Sequence, residues 1–86
     1  MQGFDQNCLH IGGLDRGITT DILYGFFKKY NIINIHLPYD HSRKEPKNYA
    51  FLYFKDQQMT ELAYKECNFK KILKKPINLS AIINRN

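Results

Sequence analysis

A chain of 86 residues has room for one domain and one hydrophobic core, and lacks the bulk for a second lobe around an enclosed catalytic cleft. Hydrophobic residues make up 43% of it, which argues against a disordered chain. A net charge of +5 and an isoelectric point near 9.3 point to an anionic partner, either nucleic acid or an acidic protein.

The opening MQGFDQN has neither the basic start nor the apolar run of a secretion signal, and the longest apolar run, residues 49–54, is far too short to cross a bilayer. Cys8 and Cys67 are far apart and form no CxxC pair, so the expected setting is a reducing intracellular one, nucleus or cytoplasm, with no membrane. Residues 8–11 (CLHI) form a short apolar run closed by Gly12 and Gly13, which predicts a strand and a turn. Thr19 is placed to cap a helix, with Asp21 in its first turn. Leu23, Phe26, Phe27 and Tyr30 then follow at i, i+3, i+4 and i+7, the apolar stripe of an amphipathic helix ending near Asn31. Gly25 inside it costs about 1 kcal/mol relative to alanine, with no compensating role visible in the sequence.

Residues 32–37 read as a second strand, with Ile35 and Leu37 on one face and Asn34 and His36 on the other; Pro38 suits a sheet edge. Residues 40–46 (DHSRKEP) are a polar connection of hairpin length, and residues 47–54 (KNYAFLYF) give the strongest strand signal in the chain. Asp56 can cap a second helix, in which Thr60, Ala63, Tyr64 and Cys67 repeat the apolar spacing. Residues 68–75 are a basic connection, and Ile77 and Leu79 alternate with Asn78 and Ser80 in a last strand. The order βαββαβ predicts an α+β, ferredoxin-like sandwich. Right-handed crossovers put both helices on one face of a four-stranded antiparallel sheet, with the first and third strands central. The other face is left open.

Alternation then sorts the side chains. Ala50, Leu52 and Phe54 form an inward row, leaving Lys47, Tyr49, Phe51 and Tyr53 outward, and Leu9 and Ile11 inward leave His10 outward beside those rings. Solvent-facing strand positions normally take Thr, Lys or Glu, so an aromatic row there calls for a partner. Bases of a single nucleic-acid strand stack on such rings, and Lys47, Arg43 and Lys44 would neutralise phosphates. A terminal helix, a second copy of the domain or a peptide would cover the same row equally well.

Residues 47–54 resemble the octamer K/R-G-F/Y-G/A-F-V-x-F/Y of the RNA-recognition-motif family. Residues 9–14, Leu9-His10-Ile11-Gly12-Gly13-Leu14, resemble the family's hexamer, an aliphatic–aromatic–aliphatic start followed by x-Asn-Leu. The resemblance runs over residues 8–81. From Leu9 to Leu79, including Asn68-Phe69 and Lys75-Pro76-Ile77, the chain looks most like the first domain of poly(A)-binding proteins. It implies an RNA recognition motif over residues 8–82, flanked by 1–7 and 83–86, with an interdomain linker starting at Ile82. It also implies Tyr49 and Phe51 as stacking residues and Lys47 as a phosphate contact. His10 stands where the family has Phe or Tyr, Asn48 where it has glycine, Gly13 where it has asparagine, and Lys74 where a loop glycine is common.

The expected function is thus a non-enzymatic module for single-stranded RNA within a larger mRNA-associated protein, monomeric in isolation, with neighbouring domains or a protein partner. Its expected site is His10, Lys47, Tyr49, Phe51, Tyr53, Arg43 and Lys44, with Asn78 and Ser80 contacting base edges. The alternative is a protein-interaction domain on the same fold. One subclass of the family uses an Arg-x-Phe before the last strand for this, but Cys67 stands two residues before Phe69. No cofactor or metal is expected. Only Cys8 and His10 share a face and strand, whereas a metal needs three or four converging ligands. Gly12-Gly13 also lacks the Lys-Ser/Thr of a phosphate-gripping loop.

Overall fold

The computed structural model describes residues 7–82. The expected flanking segments and linker, apart from Asn7 and Ile82, lie outside the described residues. The elements are β1 (Cys8–Gly12), α1 (Thr20–Phe27) tightening into a 3₁₀ turn (Lys28–Tyr30), β2 (Ile32–His36), β3 (Tyr39–Asp40), β4 (Glu45–Pro46), β5 (Tyr49–Phe54), α2 (Gln57–Cys67), β6 (Lys71–Ile72), β7 (Lys75–Pro76) and β8 (Asn78–Ala81). Four strands form an antiparallel sheet in the order β2-β5-β1-β8. The expected βαββαβ sandwich, with its first and third long strands central, is therefore what the chain builds.

The helix starts follow from their caps. Thr19 Oγ1 accepts from the Ile22 N–H at 3.2 Å, and Asp56 Oδ1 accepts from the Met59 N–H at 2.8 Å, each satisfying a donor the helix leaves free. Asn31, at φ 58°, ends the first helical segment in the left-handed conformation that asparagine tolerates. Leu23, Phe27 and Tyr30 are buried on one stripe, and Thr60, Ala63 and Cys67 on the other. The two stripes meet the inward row Leu9, Ile11, Ala50, Leu52, Phe54 and Leu79. Phe27 meets Phe54 edge to face at 6.2 Å, joining helix to sheet at the centre of the core. Each such buried Leu, Ile or Phe contributes about 1.5–3 kcal/mol. Thr60 is fully buried, and its hydroxyl donates to the Asp56 carbonyl at 2.8 Å, so no polar group is stranded there. Tyr30 donates to Glu66 at 2.7 Å, tying the helices together; burial, then the neighbouring Cys67 and Glu66, raises its pKa.

Three local features differ from expectation. The third long strand begins at Tyr49 rather than at residue 47. The β2–β5 pairing stops at His36 and Phe51, and Pro38, with no N–H, cannot extend it; its carbonyl instead accepts from the Lys47 N–H at 2.8 Å. A register shift between Ile32 and Asn34 leaves Ile33 62% exposed, although Ile35 and His36 point to opposite faces as expected. Residues 40–46 and 68–75, expected as plain connections, contain two-stranded ribbons, β3 with β4 and β6 with β7. The left-handed position in the second ribbon is Leu73 rather than Lys74, and Asn48 has no positive φ.

Beyond α2, the Asn68 carboxamide accepts from the Leu79 N–H at 2.7 Å and reaches the Leu79 carbonyl at 3.5 Å. Alongside it, Phe69 N–H donates to the Ile77 carbonyl at 2.9 Å and Ile77 N–H to the Lys70 carbonyl at 2.8 Å. The outer edge of the last strand is thereby covered.

Two glycines behave oppositely. Gly13 adopts φ +75°, and a Cβ there would sit 2.9 Å from the Pro76 carbonyl oxygen, a backbone atom with little freedom to move. Gly13→Ala should destabilise the domain by about 1–3 kcal/mol, read as a lower midpoint in urea unfolding. Gly25 is exposed in α1, and a Cβ there would meet nothing within 4 Å. Gly25→Ala should stabilise by about 1 kcal/mol; an unchanged or lower midpoint would refute the propensity argument.

Candidate nucleic-acid interface

The antiparallel registers place the open-face residues in rows across the sheet. His10 pairs with Ser80 on one side and Phe51 on the other, and Phe51 pairs in turn with His36. The central row therefore runs Ser80, His10, Phe51, His36. A second row runs Asn78, Gly12, Tyr49, and a third Cys8, Tyr53, Asn34.

The rings of these rows touch. His10 stacks on Tyr49 with centroids 5.7 Å apart and planes 23° apart, and meets Phe51 edge-on at 5.4 Å. Tyr49 and Phe51 meet edge to face at 6.1 Å. His36 lies nearly parallel to Phe51 at 6.2 Å. Tyr49, Phe51 and His10 are half-buried by one another and keep part of each ring in solvent, while His36 is exposed. Gly12 contributes no side chain; a Cβ there would press to 2.9 Å from Asn78 Oδ1, so the glycine leaves Asn78 its place beside His10.

Each expected site residue can now be located. His10, Tyr49, Phe51, Asn78 and Ser80 share one face and adjoin one another. Tyr53 is on that face too, but it stands opposite Cys8, which is buried, and the two side chains interact. Burial raises the Cys8 thiol pKa against the opposing Tyr53 hydrogen bond, and burial raises the Tyr53 phenol pKa, as does the thiol. Both groups stay neutral near pH 7. Lys47 precedes β5 rather than belonging to it, and with Arg43 it lines a cleft at that end of the strand. Lys44 is exposed at φ 56° in the β3–β4 turn and is not part of that lining.

His36 is the residue the sequence reading placed on the correct face but did not count in the site. The signal was available, because strand alternation already put it outward; its partner Phe51 follows only from the pairing register. Among the described residues, no aspartate or glutamate stands in these rows, and no cluster of three His, Cys, Asp or Glu groups is arranged to hold a metal. The surface is thus a ring platform free of carboxylates with cations at one end, shaped for a planar, polyanionic ligand. Among the described residues, no helix is long and apolar enough to cross a membrane.

Comparison with known proteins agrees with that geometry. Human splicing factor 3B subunit 4 is 28% identical over 81 residues, covering 91% of this chain and 19% of that protein. Protein PES4 of Saccharomyces cerevisiae is 32% identical over 72 residues, covering 83% of this chain and 12% of that one. A solved complex of the Sex-lethal protein with RNA superposes at a TM-score of 0.84 with 20% identity, covering 95% of this chain and 50% of that one, a likeness of fold. The chain therefore spans about a fifth or less of these curated relatives. The sequence profile of the RNA recognition motif matches residues 9–78, most of the chain. With the sheet order, the open aromatic face and this match together, the chain belongs to the RNA recognition motif family.

Proposed function

We propose that this domain binds single-stranded RNA across the open face, with Tyr49 and Phe51 stacking successive bases. The observation that carries the reading is the contiguous ring array His10–Tyr49–Phe51–His36, partly in solvent and without a carboxylate in its rows. His10 adds a smaller platform, Tyr53 a further ring, and Asn78 and Ser80 hydrogen-bonding groups for base edges. Lys47, Arg43 and Lys44 supply charge for phosphates. Two stacks of about 1–3 kcal/mol each supply at most about 6 kcal/mol of the roughly 8 kcal/mol that micromolar affinity needs, so contacts to phosphates must supply the rest and offset the cost of ordering the strand.

The relatives' names, a splicing factor subunit and, in Schizosaccharomyces pombe, spliceosome-associated protein 49 (30% identical over 84% of this chain), support a messenger-RNA class of ligand and a nuclear setting. The resemblance of residues 9–79 to the first domain of poly(A)-binding proteins supports the same class and extends the setting to the cytoplasm. In a longer protein, tethered neighbouring domains would raise the effective affinity without any new contact.

The double substitution Tyr49→Ala/Phe51→Ala should weaken binding to a mixed-sequence octanucleotide RNA by at least about 30-fold, with the unfolding midpoint little changed. Unaltered affinity by fluorescence anisotropy would remove the stacking face as the site. Lys47→Ala should weaken binding similarly for all sequences and flatten the slope of log K against log salt by about 0.7. A sequence-selective loss with the slope unchanged would contradict its assignment to phosphate.

A further inference from the structure

At the end of the sheet where β5 begins, a cleft of about 550 Å³ opens beside the ring platform, within the range of about 300–1,000 Å³ typical of small-molecule sites. Its walls come from separate segments. Leu14 and Arg16 lie after β1, Glu45 opens β4, and Lys75 belongs to β7. These segments are fastened together. The Leu14 N–H donates to the Asn48 carbonyl at 3.0 Å, and Arg16 donates through Nη2 and Nε to one Glu45 oxygen at 2.9 and 3.2 Å.

The charge of the cleft follows from those bonds. The Arg16–Glu45 pair is the one ion pair among the described residues, so Glu45 is spent on Arg16. Asp40, also in the lining, turns its Oδ1 onto the Ser42 and Arg43 N–H groups at 3.0 and 3.2 Å. Arg43, Lys47 and Lys75 are left as cations without an ion-paired carboxylate. The exposed Asn48 carboxamide adds both a donor and an acceptor. The chemistry suits a nucleotide: cations for a phosphate and an amide for a base edge.

We infer that this cleft receives the nucleotide that follows the base stacked on Tyr49, as the same RNA strand leaves the sheet. The inference rests on the proposed RNA binding. Continuity carries it, because Lys47 and Asn48 line the cleft and lead directly into Tyr49. Lys75 and Arg43 hold the phosphate from opposite walls, and the Arg16 guanidinium, fixed by Glu45, presents a flat face to the base. The strand is thus read on the platform and then clamped beyond it.

The test compares a dinucleotide, long enough only for the two stacking rings, with an octanucleotide of mixed sequence on the intact chain, followed by NMR and anisotropy. In the unsubstituted protein both RNAs should shift the amide signals of Phe51 and Tyr49, and only the octanucleotide those of Leu14 and Asn48. Arg16→Ala/Lys75→Ala should lower octanucleotide affinity about tenfold and leave dinucleotide affinity within twofold. Lys70→Ala/Lys71→Ala removes two charges elsewhere and should have neither effect; both pairs are exposed, and thermal melts would verify folding. An octanucleotide affinity unmoved by the first pair, or an equal fall for both RNAs, would overturn the cleft assignment while leaving the platform intact. Binding of both RNAs that survives Tyr49→Ala/Phe51→Ala would instead overturn the platform and the cleft with it.

Discussion

The alternation of side chains along β5 couples the core of this domain to its working surface. Ala50, Leu52 and Phe54 are buried almost completely beneath the helices, so Tyr49, Phe51 and Tyr53 have only the other face to occupy. The same pleat in β1 buries Leu9 and Ile11 and turns His10 outward. Nothing else is needed to display the rings. Their exposure is the complement of good packing, and the helices that cover one face leave the other uncovered.

Around that platform the forces divide by location. The rows contain no Asp or Glu among the described residues, and the unpaired cations Arg43 and Lys47 sit at one end, where β5 begins. Stacking on the phenyl and phenol rings changes little with salt, whereas contacts between lysine or arginine and phosphate fall steeply with it. The surface thus separates how a base is gripped from how the strand is attracted. The Cys8–Tyr53 pair marks the opposite limit of the ring field, where a thiol is buried beneath the sheet's own tyrosine rather than offered to a ligand.

Much of this was legible in the sequence wherever a signal is local and repeats. Thr19 and Asp56 cap the helices, Asn31 ends the first, and the central strands β1 and β5 show their faces by alternation. The family followed from eight consecutive residues that combine type and parity. What was not legible depends on partners distant in the chain. Two-residue strands such as β3 and β6 are too short to show a period, so the ribbons look like loops. The start of β5 is decided by where β2 ceases to pair, which depends on Pro38 and on the carbonyl it gives to Lys47. His36 needed the β2–β5 register before its contact with Phe51 became visible, and the irregularity at Ile33 makes counting from the strand start unreliable. Lys74 stands where the family commonly has a loop glycine, but the ribbon puts its left-handed residue one position earlier, at Leu73.

The Asn68 carboxamide deserves a mechanical reading. It grasps both backbone groups of a single residue, Leu79, on the side of β8 away from β1. Sliding β8 by one position would expose Ile77 and Leu79 and drive Asn78 and Ser80 into the interior. It would also leave the carboxamide facing a residue whose N–H and C=O point the other way. Asn68 is therefore an index peg: by accepting one residue and no neighbour, a side chain on the helical layer dictates which polar groups the sheet shows to its ligand.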